Sequence, residues 1–301
     1  MAHCVAEEAE AILDREFPVL DKGFVRLVDY LGGDERVVQA ARVSYGAGTR
    51  TYREDAGLID YLLRNEHTSP FEQVVLTFHV KLPIFVARQW VRHRTARLNE
   101  ISGRYSVMKD DFYVPEGGDI ALQSTDNKQG RGDALDAASS GEVRSGLEEG
   151  QRRAYGDYSA LVYKGISREL ARINLPLSLY TEWYWQIDLH NLFRFLELRL
   201  DAHAQLEIRR YAEALFEITR KVAPRCCASF DRHRLEGGRF SREEFAELRR
   251  RLGMNGGAAE KTLLEGKALE RFEEKLRRKP GVLRSKTPCK LHDGETNGGW
   301  Q

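Results

Sequence analysis

Between Ser69 and Trp90 the hydrophobic period changes at a single proline. In the run SPFEQVVLTFHVKLPIFVARQW, Val74, Leu76, Phe78 and Val80 alternate with Val75, Thr77, His79 and Lys81, the two-residue period of a strand with one buried face. Pro83 ends that run. Its fixed φ suits the first turn of a helix, and Ile84, Ala87 and Val91, with Phe85 and Arg88, then follow at helical spacing. Elsewhere strands are few and helices many, so the chain is predicted to form an α+β domain with a helical appendage.

GFVRLVDYLG, Gly23 to Gly32, reads as a strand, and DERVVQAARVSYG as a helix from Asp34. A second helix is predicted from about Asp55 to Asn65, with Leu58, Tyr61 and Leu62 on one face. From about Gly117 to Glu142 the chain is Gly, Asp, Ser, Asn and Gln with little apolar content, which predicts a mobile surface insertion. The following stretch reads helical as far as Pro176. Leu192, Phe193, Leu196, Arg199, His203, Leu206 and Tyr211 then mark a long helical segment from about Leu189 to Val222, broken near Asp201. Beyond Pro224 the character changes. SREEFAELRRRLG carries a capping box from Ser241 to Glu244, a charged amphipathic helix follows it, and the final twenty or so residues are expected to be disordered. The predicted organisation is a domain over residues 1–228, with the insertion at about 117–142, and an appendage over 229–301.

The chain has 301 residues, 42% of them apolar, enough to build a real core, and 31% charged with a net charge of +1. A surface of mixed sign points to neither nucleic acid nor an anionic membrane, so any anion site must be local. No run reaches the apolar length of a membrane span, and the acidic start lacks the pattern of a signal peptide, so a cytoplasmic protein is expected. The cysteines are Cys4, Cys226, Cys227 and Cys289, with no CxxC spacing; free thiols are expected, and neither a zinc ribbon nor a disulfide framework. HExxH spacing, a Walker A loop, a strand-linked GxGxxG and a GxSxG elbow are all absent from the sequence. No metal site is predicted.

Against that even background, RHRTARLNEISGRYS concentrates four arginines, a histidine and a glutamate between Arg92 and Arg104. Arginine presents a rigid fork of donors that fits phosphate and the carbonyl edge of a planar heterocycle, and it stabilises an anion without giving up a proton. Charge alone would describe a solvated loop. Asn99, Glu100, Ser102, Gly103 and Tyr105 add acceptors, donors and close backbone approach that solvation does not require. In DLHNLFRFLELRLDAHAQ, Arg199 sits among Phe195, Leu196, Leu198 and Leu200, so a partly buried guanidinium needs an anionic or carbonyl partner there. HTSPFEQ offers a hydroxyl at Ser69 and a carboxylate at Glu72, and taken alone reads as a turn before a strand. PRCCAS is read as a helix-end pair of small buried residues in preference to a thiol nucleophile.

Together these stretches resemble the flavin-dependent thymidylate synthases, whose signature is RHR, seven residues, then Ser. Here Arg92, His93 and Arg94 are followed at that interval by Ser102. HTSPFE, TFHVKLPIFVARQW, ELARINLPLSLYTEWYW and DLHNLFRFLELRLDAHAQ extend the resemblance over about Phe24 to Ala223. It implies an antiparallel sheet wrapped by long helices, and a reductive methylation of dUMP to dTMP. Methylenetetrahydrofolate would give the carbon, and FAD reduced by NADPH the hydride. It implies FAD contacts at Ser69, Arg92, His93, Arg94, Glu100, Asp188, Leu189, His190 and Arg194. It implies dUMP contacts at Gln89, Arg92, Glu100, Ile101, Ser102, Gly103, Arg104, Arg172 and Arg199, with His67, Tyr105 and Glu169 near the pocket. Arg199 would favour an ionised pyrimidine and so activate C5 without a protein thiol; Ser102 would be a positioning group. It further implies a homotetramer with active sites at subunit interfaces. Ser69 stands where Thr is usual and Arg194 where a smaller polar group or His is usual, and Arg97 adds a cation inside the signature. The rival reading is a nucleic-acid-binding protein that uses the arginine-rich loop and the basic tail KLRRKPGVLRSK.

Overall fold

The change of period at Pro83 is a strand-to-helix junction. In the computed structural model, which describes residues 5–43, 52–125, 130–253 and 264–277, strand β3 (Val75–Pro83) runs directly into helix α4 (Ile84–Trp90). Pro83 has φ −66° and ψ 145°, an extended residue whose ring sets the helix entry. The chain separates into two compact units, the first reaching Cys227 and the second beginning at Ala228.

In the first unit, β3 lies at the centre of a five-stranded antiparallel sheet of order β1-β2-β3-β7-β4. The other strands are β1 (Glu16–Val19), β2 (Gly23–Leu31), β4 (Arg97–Glu100) and β7 (Tyr180–Asp188), and β2 and β7 flank β3. Register places Phe78 opposite both Leu27 and Trp185, so the inward rows of three strands meet in one layer. Helices α4, α7 (Leu189–Arg199) and α8 (Leu206–Val222) cover that face. Trp90 is fully buried there, its ring 5.6 Å from Trp183, 5.0 Å from Trp185, 4.8 Å from Phe195 and 6.0 Å from Tyr211. Truncating so large an anchor to alanine costs about 3–5 kcal/mol. The short α1 (Glu7–Glu10) lies against α8, and α2 (Asp34–Arg42) packs against α3 (Tyr52–Arg64).

The long helical segment after β7 breaks as its sequence predicts, between Arg199 and Leu206. Asp188 caps α7 by accepting from the Asn191 N–H at 2.9 Å, and the Asp201 carboxylate accepts from the His203 N–H at 2.8 Å within the break. Three expectations need correction. The described residues of the 117–142 segment form regular structure: a 3₁₀ turn at Gly117–Asp119, the antiparallel pair β5 (Ala121–Gln123) and β6 (Arg131–Ala134), then α5 (Ala137–Tyr163). Its anchors are polar. Arg131 Nη2 donates to Glu207 Oε1 of α8 at 2.6 Å, and Asp136 caps α5 through the N–H groups of Ala138 and Ser139 at 3.0 Å, so a low apolar content misleads. The helical reading up to Pro176 is interrupted at Gly165, whose φ of +78° ends α5; α6 (Arg168–Ala171) and a 3₁₀ turn at Arg172–Asn174 follow. Strands β1, β4 and β7 appear where no strand was expected.

Helix α9 (Pro224–Phe230) carries Cys226 and Cys227, both fully buried free thiols. The second unit contains α10 (Arg242–Arg251) and α11 (Lys267–Arg277). The capping box is present: Ser241 Oγ accepts from the Glu244 N–H at 3.2 Å and Glu244 Oε2 from the Ser241 N–H at 2.7 Å. Lys275 reaches Glu244 Oε1 at 2.6 Å, and buried Phe272 packs against Arg251 and Phe240. Cys4, Cys289 and the tail expected to be disordered lie outside the described residues. Among the described residues no helix is long and apolar enough to cross a membrane.

Candidate active site

The apolar face of α4 fixes Trp90 in the core, and the chain turns immediately afterwards. The His93 N–H donates to the Trp90 carbonyl at 3.0 Å, so Arg92 and Arg94 point outward while the half-buried His93 ring lies edge-on to Phe195 at 4.8 Å. Arg199, the last residue of α7, comes to the same place. Its Nε donates to His93 Nε2 and its Nη2 to the Gln89 carbonyl, each at 3.2 Å. His93 therefore accepts at Nε2 and carries its proton at Nδ1. Burial, the Arg199 charge and the Arg194 charge together push its pKa from 6.5 down to about 4, so the ring is neutral at pH 7. Arg199 is lowered by burial, but an arginine keeps its charge at neutral pH. The two groups it bonds are both neutral acceptors.

A second focus forms where β4 leaves the sheet edge. Glu100 lies opposite Trp183 in the β4–β7 register, and Glu100 Oε1 accepts from the Thr181 hydroxyl at 2.6 Å. The Ile101 N–H then donates to the Glu182 carbonyl at 2.9 Å, after which the chain turns tightly. Ser102 shapes that turn, its carbonyl accepting from the Tyr105 and Ser106 N–H groups and its Oγ from the Arg104 N–H at 3.3 Å. Gly103 is buried in it. A Cβ there would stand 2.8 Å from Met108 Sδ and 3.1 Å from Arg172 Nη1, so the backbone and the guanidinium approach more closely than a side chain permits. From α6, Glu169 Oε2 pairs with Arg104 Nε at 3.1 Å and Arg168 Nη1 donates to the Tyr105 carbonyl at 2.5 Å.

The structure thus joins Gln89, His93 and Arg199 by direct bonds and gathers Ser102, Gly103, Arg104, Glu169 and Arg172 on one turn. Ser69 and His67 lie exposed in the loop before β3, where His67 meets the Tyr61 ring at 5.7 Å. That loop packs on the start of α7, with Phe71 against Phe193 and the Leu189 N–H on the Val74 carbonyl. Both Asp188 carboxylate oxygens accept from Asn191, which makes Asp188 the cap of α7. The Leu189 side chain is wholly in the core; His190 and Arg194, four residues apart on α7, share one face, half-buried and exposed respectively. Thr181 and Gln205 are contacts that sequence reasoning does not find; Gln205 accepts from the Gln89 side chain. Clefts of about 860 and 580 Å³ lie against α5, and none of the predicted site residues lines them.

Arg92, Arg94 and Arg172 have no ion pair among the described residues. Unpaired guanidinium groups, a neutral imidazole with a free Nδ1–H and a glycine cradle beside Arg172 form a donor-rich surface. Such a set fits planar, anionic ligands.

The profile of the thymidylate synthase complementing protein family matches residues 26–225, and that of the thymidylate synthase ThyX C-terminal domain matches residues 239–279. A flavin-dependent thymidylate synthase of Treponema pallidum is 65% identical over 278 residues, covering 92% of this chain and 90% of the relative. The chain belongs to the flavin-dependent thymidylate synthases. Another member, from Treponema denticola, is 66% identical over 267 residues, covering 88% of this chain and 98% of its own. Among solved structures, a UMP/dUMP methylase, PolB of Streptomyces cacaoi, bound with 5-Br dUMP, has a TM-score of 0.66 at 32% identity, covering 72% of this chain and 97% of its own. The protein is accordingly a flavin-dependent methyltransferase of thymidylate synthesis, with the α+β architecture of its family. None of these relatives is described as binding nucleic acid, and the rival reading has no support. In this flavin-dependent thymidylate synthase the RHR motif follows the end of α4, and its Ser102 closes the turn after β4.

Proposed function

We propose that the enzyme converts dUMP to dTMP, with methylenetetrahydrofolate as carbon donor and FAD, reduced by NADPH, as hydride source. The observation that carries this reading is the Arg199–His93 bond beside the unpaired guanidinium groups of Arg92 and Arg94. The likeness to a methylase solved with 5-Br dUMP supports dUMP as the substrate. Bound FAD, once reduced, supplies the hydride that completes the methyl group.

This chain's residues bind and polarise. Arg104 and Arg172 flank the Gly103 turn and hold the dUMP phosphate, with Ser102 keeping the turn in shape. Arg199, restrained at Nε and Nη2, uses its remaining donors on the uracil O2 and N3 edge, where a positive charge favours the ionised, more nucleophilic pyrimidine. Neutral His93 offers Nδ1–H, and Arg92 and Arg94 their forks, to the electron-rich edge of the flavin. Ser69, His190 and Arg194 contact FAD from the α7 side, and Asp188 holds that helix end in place. Cys226 plays no part, because burial and the nearby Asp34 raise its thiol pKa well above the ordinary value.

We assign this chemistry to residues 1–228 and treat 229–301 as an appendage. A homotetramer with active sites between subunits belongs to the same proposal. Its support is the exposure of the arginines together with the exposed apolar side chains Tyr163, Ile166, Leu170, Ile173 and Leu177 at the end of α5 and around α6. A cytoplasmic location is likewise proposed. The deciding experiment is dTMP formation from dUMP and methylenetetrahydrofolate with FAD and NADPH each supplied or omitted. Product only in the complete mixture is expected; no product there, or undiminished product without flavin, overturns the reading. Sizing of serial dilutions tests assembly, and a fully active monomer sinks the tetramer.

A further inference from the structure

On β7 the core-facing row is Thr181, Trp183, Trp185 and Ile187, all buried. Three of the four are large and apolar, and packing alone would be served at the fourth by valine, the β-branched isostere of threonine. Thr181 is 2% exposed, and among the described residues its hydroxyl makes one hydrogen bond, a donation to Glu100 Oε1 at 2.6 Å. Glu100 stands on the edge strand β4, directly opposite Trp183, which puts Thr181 on the neighbouring diagonal of the same sheet face. A carboxylate can only accept, so the hydroxyl proton points at Glu100 and holds one of its oxygens at the sheet edge. The other oxygen, Oε2, has no partner among the described residues.

We infer that Thr181 is the positioning residue for Glu100, fixing the carboxylate between the flavin and nucleotide sites. This inference rests on the proposed reading that Glu100 faces both ligands. An edge-strand glutamate without such a tether would sample several rotamers, and each would have to be frozen on binding. The tether removes that cost in advance.

The test is equilibrium titration of the full-length protein with FAD, and of the FAD-loaded protein with dUMP, for wild type, Thr181→Val, Thr181→Ser, Glu100→Gln, Glu100→Ala, which leaves the hydroxyl no acceptor, and the Thr181→Val/Glu100→Ala double variant. Thr181→Val is expected to weaken dUMP binding about tenfold, the scale of one hydrogen bond to a charged group. Thr181→Ser, which keeps the donor, is expected to stay within about twofold of wild type, the scatter of uncoupled changes. The double variant should bind no more weakly than Glu100→Ala alone. Equal losses in the valine and serine variants, or fully additive losses in the double variant, would assign Thr181 to packing and overturn the inference. If Glu100→Gln weakens binding and Thr181→Val does not, the inference alone falls. If Glu100→Gln itself binds both ligands as wild type does, the ligand-facing reading of Glu100 falls and takes the inference with it.

Discussion

Arg199 donates through Nε to Nε2 of His93 at 3.2 Å, a cation resting on a neutral ring. Because neither His93 nor the Gln89 carbonyl carries a negative charge, the field of the guanidinium is not cancelled by the groups that hold it. Arg199→Ala is expected to leave FAD bound while lowering dTMP formation by roughly 10²–10³, the loss typical of one preorganised electrostatic donor. Flavin binding and turnover measured on the same preparation check this. Near-normal turnover would remove Arg199 from the activating role.

The burial of His93, with the Arg199 and Arg194 charges beside it, makes stability depend on pH. The pKa of His93 is 6.5 in the unfolded reference and about 4 in the fold, so between those values the unfolded chain holds the extra proton. His93 therefore leaves stability unchanged above pH 6.5 and removes it progressively as pH falls from 6.5 toward 4. His93→Gln, whose amide oxygen can still accept from Arg199, should flatten that part of the profile. Urea midpoints at pH 7, 5.5 and 4.5 for the two proteins provide the comparison, and parallel profiles would contradict the lowered pKa.

What could be read from the sequence follows from how local each cause is. β3 and α4 declare themselves because Phe78 and its row are buried on one side only, so the period is clean. β7 does not, since Tyr184 puts an exposed aromatic between Trp183 and Trp185 and the alternation disappears. β4 is four exposed residues, Arg97–Glu100, with no apolar row; it is a strand because β7 offers it a free edge. The β5–β6 pair is held by Arg131 on Glu207, two residues 76 positions apart, a bond that no local pattern announces. The site divides in the same way. The arginines, His93, Ser102 and Gly103 are legible as one motif, whereas the lowering of the His93 pKa comes from its burial and from Arg199, 106 positions away.

A thiol-free mechanism is open to direct challenge at α9. Cys226 and Cys227 are fully buried, and the Arg225 and Cys226 N–H groups are tied to Asp34 at 2.8 and 3.0 Å. Changing either to alanine, or changing Cys4 or Cys289, should preserve turnover per folded molecule, at a stability cost of about 1 kcal/mol for each buried site. Loss of dTMP formation in Cys226→Ala or Cys227→Ala, with FAD binding and the unfolding midpoint retained, would favour a thiol mechanism.

The Gly103 turn is the most demanding steric feature of the site. An added methyl would lie 2.8 Å from Met108 Sδ and 3.1 Å from Arg172 Nη1, and Met108, itself buried beside Tyr158, has little room to retreat. The guanidinium is the freer neighbour, so Gly103→Ala is expected to displace Arg172 from the turn. The effect should fall on nucleotide binding more than on the chemical step: KM for dUMP raised about tenfold or more, with kcat changed much less and FAD affinity unaffected. Steady-state kinetics over a range of dUMP concentrations, alongside a flavin titration, separate these quantities. A fall confined to kcat would instead mean that the turn acts on the reacting ring and not on the phosphate.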